Sequence, residues 1–282
     1  MVEVRYRDRL GNNLFQYCLG RILAEHFGYS LRAEALDGFS RTKDVVTGDE
    51  YTSPEQILEG QRIDLDGVLC NLSPRKIILN GWFQRHEYFT PHRERIHSWL
   101  TMDPQHITPC TDADVVVNVR RTDYIGLGWA LPFSFYEEAI ELTLPKGGRV
   151  SIVTDDPNDT FFLRFRKWKP TFFKGTPLQQ MSYMSHAPRL VMSASTFSWW
   201  PAFLGKAETV VCPVPSFGIW APGDVGRGID LIDRSRFVSI DCPLPYVMST
   251  LEKLYQRARS YRARGAAWSN QTFHTNFPVN HF

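Results

Sequence analysis

The chain is poor in cysteine, in long apolar runs and in net charge, and each shortage closes a class of function. Its 282 residues include five cysteines, Cys18, Cys70, Cys110, Cys212 and Cys242, an odd count with no two close in sequence. That excludes a C-x-x-C metal site and argues against a disulfide framework, so the thiols read as reduced packing residues. No window approaches the ~20 apolar residues of a membrane span. The chain opens directly on Val2-Glu3-Val4-Arg5-Tyr6, without the apolar stretch of a secretory signal. The expectation is a cytoplasmic protein, or one from which an anchor has been removed. A net charge of +2 lacks the basic excess of a nucleic-acid binder. No repeat and no low-complexity segment is present.

What is present is an ordinary globular composition, with 43% apolar and 22% charged residues, enough for one large core or two lobes. Eight tryptophans suit either a packed core or a cleft in which sugar faces stack on rings. Apolar runs of strand length alternate with stretches of helical period. Strands are expected at 2–6, 30–33 and 76–79, with helices at 13–27 and 91–100, the latter begun by proline. Residues 34–75 show no clear period. A second series follows, with strands at 114–119, 149–154, 189–193 and 208–212 and helices at 134–144, 158–166, 177–186 and 197–205. The order predicts an α/β fold of two Rossmann-like lobes facing a cleft, with parallel sheets and a seam near 104–112. The lobes are drawn at 1–108 and 109–245. Residues 246–282 are assigned to a C-terminal helix, starting at 245, and a tail packing back on the first lobe. The basic residues of that helix, Lys253, Arg257, Arg259, Arg262 and Arg264, read as a solvated face, with weak contact to an anionic membrane surface as the alternative.

Parallel sheets bind ligands at the carboxyl ends of their strands, so the residues after each strand carry the chemistry. After the first strand, Gly11 and Asn12 open a helix whose N–H groups suit an anion, or simply form a capped turn. After 114–119 stand Arg120 and Arg121, followed by Asp123 and Tyr124. Adjacent guanidiniums there suit a polyanion, one pointing into the cleft and the other pairing with Asp123. After 149–154 come Asp155 and Asp156, which suit ribose hydroxyls or base edges, a divalent metal, or capping of the next helix; capping by one of them is expected. Ser193, Ser195, Thr196 and Ser198 cluster at a helix start as a second phosphate cradle. Trp199 and Trp200 are expected to pack that helix onto its sheet. No clustered His/Asp/Glu set suggests a catalytic metal.

Four segments resemble, in order, the alpha-1,2-fucosyltransferase family (glycosyltransferase family eleven) and its wider fucosyltransferase superfamily. The family's G-G-L-G-N-Q-L/M-F-Q-Y-A stands here as Asp8-Arg9-Leu10-Gly11-Asn12-Asn13-Leu14-Phe15-Gln16-Tyr17-Cys18. Its G-Y-F-Q-x-x-x-Y-F is similar to the run from Gly81, Trp82, Phe83 and Gln84 to Tyr88 and Phe89. Its V-H-V-R-R-x-D-Y corresponds to Val117-Asn118-Val119-Arg120-Arg121-Thr122-Asp123-Tyr124, and its S-N-S-T-F-S-W-W to Ser193-Ala194-Ser195-Thr196-Phe197-Ser198-Trp199-Trp200.

The resemblance implies a GT-B fold and inverting transfer of L-fucose from GDP-fucose to a hydroxyl of a glycan acceptor. It implies no metal and no cofactor beyond the donor. On it, Arg120 holds the β-phosphate, with Asp123 as a candidate base and Asp8 and Glu87 as alternatives from the facing lobe. Gly11, Asn12, Asn118, Arg121, Asp155, Asp156, Gln180, Ser195, Thr196 and Ser198 join Arg120 on the donor side; Asp8, Trp82, Glu87 and Tyr124 face the acceptor. Three departures stand out: Asn118 replaces the family histidine, Gln180 replaces an acid that pairs with guanine, and Asp8-Arg9 replaces Gly-Gly. Another nucleotide sugar, or a non-catalytic nucleotide-sugar or glycan binder, are the alternatives.

Overall fold

The computed structural model describes residues 1–42, 54–73, 75–218, 235–250 and 252–254. Residues Met1–Tyr246 form one compact unit holding two parallel sheets. The first sheet comprises β1 (Val2–Val4), β2 (Leu31–Arg32), β3 (Glu55–Gly60) and β4 (Lys76–Gly81), in the order β2-β1-β4-β3. The second comprises β5 (Val115–Val119), β6 (Val150–Thr154), β7 (Thr171–Phe172), β8 (Arg189–Val191), β9 (Thr209–Pro215) and β10 (Phe237–Cys242), in the order β10-β9-β8-β5-β6-β7. Every pairing is parallel, with Val2 opposite both Leu31 and Ile77, and Val117 opposite both Ile152 and Val191. The α/β architecture with a cleft between two parallel sheets is the one expected of a GT-B fold.

Strand order reverses between β1 and β4 in the first sheet and between β5 and β8 in the second. At such a switch point neighbouring loops diverge and leave a crevice at the carboxyl ends. Both crevices open on the same cleft, because residues that follow β1, β4, β5 and β8 all line it.

Helix α1 (Leu10–Phe27) ends at Gly28, whose φ of 64° closes a left-handed cap that other residues adopt at a cost. Helices α2 (Leu65–Cys70), α3 (His86–Phe89) and α4 (Arg93–Trp99) complete the first half. The segment expected as one helix over 91–100 starts earlier and is broken. Thr90-Pro91-His92 is a tight 3-10 turn between α3 and α4, because proline brings no N–H to a continuous ladder. In the second half, α5 (Thr122–Leu127), α6 (Phe133–Thr143), α7 (Pro177–Ser185) and α8 (Thr196–Leu204) follow β5, β7 and β8. Helix α7 starts on a capping box, Thr176 with Gln179. The helix expected at 158–166 is a 3-10 turn, Thr160–Trp168.

One buried cluster runs through both halves, from Val2, Phe15 and Phe89 to Val116, Trp199, Trp200 and Val210. Trp199 and Trp200 therefore pack across to α1 as well as against their own sheet: both rings lie 4.7 Å from that of Phe15. Val247–Phe282 forms a second unit. Of the helix expected over 245–264, residues 245–249 carry no regular structure and the helical state begins at 250, with 252–254 also helical; the remainder, with Arg257, Arg259, Arg262 and Arg264, and the tail at 266–282 lie outside the described residues. No described helix is long and apolar enough to cross a membrane.

Candidate active site in the cleft

The cleft has a volume of about 1060 Å³, within reach of a nucleotide sugar. One wall comes from the loops after β1 and β4, with Asp8, Arg9, Gly11, Asn12, Trp82 and Gln84; the other comes from the ends of β5, β6 and β8, with Asn118, Arg120, Asp123, Tyr124, Asp155, Ser195 and Thr196. Gln180 on α7 completes it. Tyr124 is placed by its buried hydroxyl, which donates to the Ala194 carbonyl at 3.1 Å.

The N-termini of α1 and α8 meet here. A Cβ on Gly11 would lie 2.7 Å from Thr196 Oγ1 and 2.8 Å from the Phe197 nitrogen, so only glycine lets the helices approach this closely. Trp200 Nε1 locks the junction by donating to the Gly11 carbonyl at 2.9 Å. Two positive helix ends thus face one cavity, a setting that favours an anion.

Arg120 projects from the end of β5 with its fork already oriented. One terminal nitrogen donates to Asp123 Oδ1 at 2.8 Å and the other lies 3.0 Å from Asp155 Oδ2. Its carbon centre sits 5.5 Å from the Tyr124 ring. Burial acts to raise the Asp123 carboxyl, but Arg120 and the Thr122 hydroxyl prevail and hold it below the usual range. Asp155 accepts from the Arg121 backbone N–H at 2.8 Å and from the Thr122 hydroxyl at 2.6 Å. It therefore ties the end of β6 to the end of β5 instead of capping the next turn.

Four expected site residues are not in the lining. Arg121 turns inward, 1% exposed, and pairs with Asp159 at 2.8 Å, not with Asp123. Its guanidinium lies 4.0 Å from the Phe161 ring and 4.3 Å from that of Tyr246. Asp159, not Asp155 or Asp156, caps the 3-10 turn, accepting from the Phe161 N–H at 2.9 Å. Asp156 instead accepts from the Asn158 N–H in a local turn. Ser198 is fully buried and donates to the Ser193 carbonyl at 2.8 Å. Glu87 is exposed on α3 and pairs with Arg85.

The serine cradle is also smaller than its hydroxyl count. Ser193 donates to Asn118 Oδ1 at 2.6 Å and lies 3.0 Å from Ser195 Oγ, and Ser195 accepts from the Ser198 N–H as N-cap. Asn118 donates to the Val153 carbonyl at 3.2 Å, so its amide is engaged at both ends. Thr196 is the hydroxyl of this group that remains partly exposed to the cleft.

Arg9, Gln61, Trp129 and Thr154 line the cleft and were missed as site residues. Gln61 falls in the stretch without period. The Trp129 loop carries no local signal, whereas Arg9 is legible as a charge placed where the similar motif has glycine. Among the described residues no group of three His, Cys, Asp or Glu side chains could hold a metal ion.

No family model and no curated protein matches the chain. Solved structures do. An Arabidopsis thaliana FUT1 mutant in complex with GDP is 11% identical over 79% of this chain and 70% of its own, with a TM-score of 0.47. NodZ alpha-1,6-fucosyltransferase soaked with GDP-fucose is 13% identical over 74% of this chain and 93% of its own, with a TM-score of 0.45. A glycosyl transferase family 9 structure from Veillonella parvula is 10% identical over 92% and 73%, with a TM-score of 0.35. Likenesses this distant fix no activity, and the functional reading rests on the side chains of the cleft.

Proposed function

We propose that this protein is an inverting, metal-independent glycosyltransferase of the fucosyltransferase type, taking L-fucose from GDP-fucose to a hydroxyl of a glycan acceptor. The observation that carries the proposal is Arg120. It stands at the switch point of the second sheet, oriented by two carboxylates, in a cavity onto which two helix N-termini open. A guanidinium so placed stabilises the charge that develops on a departing diphosphate as the glycosidic C–O bond breaks.

Side-chain charge in the cleft is mixed, so attraction for an anion falls to the two helix N-termini and to the placing of the cations. Three carboxylates, Asp8, Asp123 and Asp155, and two guanidiniums, Arg9 and Arg120, line the cleft. Arg120 is already held by two of the acids. The Arg9 side chain is exposed at the cleft and makes no hydrogen bond or ion pair among the described residues, so it is open to a diphosphate. Trp82 and Trp129 also line the cleft, and indole rings suit contact with a sugar.

A second reading keeps the reaction and changes the base. Gln180 donates its amide N–H to the Gly175 carbonyl at 3.0 Å, leaving its carbonyl oxygen for a ligand. One acceptor suits a single imide N–H as in uracil as well as it suits guanine. A thermal-shift series with GDP, UDP, dTDP and their sugars separates the two. At a hundredfold excess over Kd, the correct diphosphate should raise Tm by about 5–10 °C. A response to uridine compounds alone would move the donor to that class. No response to any of the diphosphates would overturn the proposal.

A further inference from the structure

We infer that Asp8 is the general base of the transfer, a role that rests on the nucleotide-sugar reading above. Of the three carboxylates in the cleft, two are committed to Arg120. Asp155 accepts hydrogen bonds at both oxygens, and Asp123 is paired to Arg120 and held in its ionised form. Asp8 has no cationic partner among the described residues. Its Oδ2 accepts from Asn12 Nδ2 at 3.1 Å and from the Trp82 indole N–H, which leaves Oδ1 with no partner among the described residues.

The carboxylate is held by a chain of bonds from both cleft loops of the first sheet. Gln84 Nε2 donates to Asn12 Oδ1 at 2.9 Å, which turns the Asn12 amide toward Asp8. Arg7 lies 5.4 Å from the Trp82 ring and braces the indole. A base oriented by a third group in this way is the usual arrangement for proton abstraction.

The backbone carries the second observation. Asp8 has a φ of 64°, in the left-handed region that glycine adopts at no steric cost. Phe83, in the facing loop, has a φ of 53°. Non-glycine residues in this region gather at functional sites, and Asp enters it more readily than most. At Asp8 this conformation aims a carboxylate into the cleft from the wall opposite Arg120.

In the step that follows from this, Asp8 Oδ1 takes the proton of the acceptor hydroxyl as that oxygen bonds to the donor's anomeric carbon. The anomeric C–O bond to the diphosphate breaks, and its electron pair stays on the β-phosphate oxygen facing Arg120. Asp8 then releases the proton to water.

The test uses the full chain and GDP-fucose, with GDP release read against a panel of oligosaccharide acceptors and water. Asp8→Asn should keep the wild-type affinity for GDP to within about threefold, while kcat falls about 10²- to 10⁴-fold and the acid limb of kcat/KM disappears. Asp8→Glu should restore part of the rate. Asp8→Gly relieves the backbone, so it should keep Tm and still lose turnover, whereas a purely structural Asp8 would show a fall in Tm with turnover retained by the folded fraction. If Asp8→Asn turns over like wild type with its acid limb intact, the base assignment alone is overturned. If wild type binds no nucleoside diphosphate, or binds one and transfers no sugar, the glycosyltransferase reading falls and the base with it.

Discussion

Arg120 and Arg121 are neighbours in sequence with opposite fates. Arg120, 20% exposed at its side chain, faces the cleft, while Arg121 is sealed between Phe161, Tyr246 and Asp159. Successive side chains at a strand end point to opposite faces, so a pair of arginines there cannot both serve one ligand. Arg120→Lys should therefore lower turnover by about 10²- to 10³-fold with the fold intact, because a point charge replaces a planar fork that fits two phosphate oxygens. Steady-state kinetics beside a thermal melt checks this, and near-normal turnover would remove Arg120 from the reaction. Arg121→Met acts on stability instead. It strands the Asp159 carboxylate, 3% exposed, and should cost about 3–5 kcal/mol in urea denaturation. The double variant Arg121→Met, Asp159→Leu should recover much of that loss, since an apolar pair has no buried charge to desolvate. Unchanged stability in Arg121→Met would show that the buried pair contributes nothing.

Among the elements, α1 and α8 matter most, because their N-termini build the anion-facing floor of the cleft. Their junction depends on Gly11. Gly11→Ala places a methyl against Thr196 and backbone atoms of α8, and overpacking of this kind costs about 1–3 kcal/mol. It should also weaken GDP binding, since the two helix ends are pushed apart; isothermal titration with GDP and a urea melt read the two effects separately. A melt and a Kd equal to wild type would mean that the helices slip at no cost. Both helices are legible in the sequence from their apolar period and from the motifs that open them. Other elements are not, among them β3, α2, β7 and β10. Strand β3 and helix α2 lie in residues 34–75, where exposed and buried positions mix: the six residues of β3 include one buried side chain, Leu58. Strand β7 has two residues, too few for any period to show. Strand β10 has two buried residues, Ile240 and Cys242, and takes its place from pairing with β9 along its whole length.

At the scale of the molecule, two switch points share one cavity, and the charges there bear on metal use. Asp123 and Asp155 both pair with Arg120, and Asp155 has both oxygens occupied, so these acids after β5 and β6 present no open ligand set. Arg9, two helix ends and the hydrogen-bonding fork of Arg120 would hold a diphosphate in a metal's place. Activity should accordingly survive EDTA, and loss in EDTA with recovery in manganese would overturn metal independence. The sequence by itself determined the alternation of strands and helices, the parallel sheets and the loops that carry the chemistry, because period and motif order are local properties of the chain. It also marked Arg120, Gly11, Thr196 and Asp8. Only the tertiary structure decided which side chains reach the cleft. Asp123 joins Arg120 and not Arg121, Ser198 turns into the core, and Gln61 and Trp129 arrive from stretches with no signal of their own. Those outcomes depend on contacts between residues far apart in the chain, such as Asn12 with Gln84 and Gly11 with Trp200, and no local pattern encodes a partner that distant.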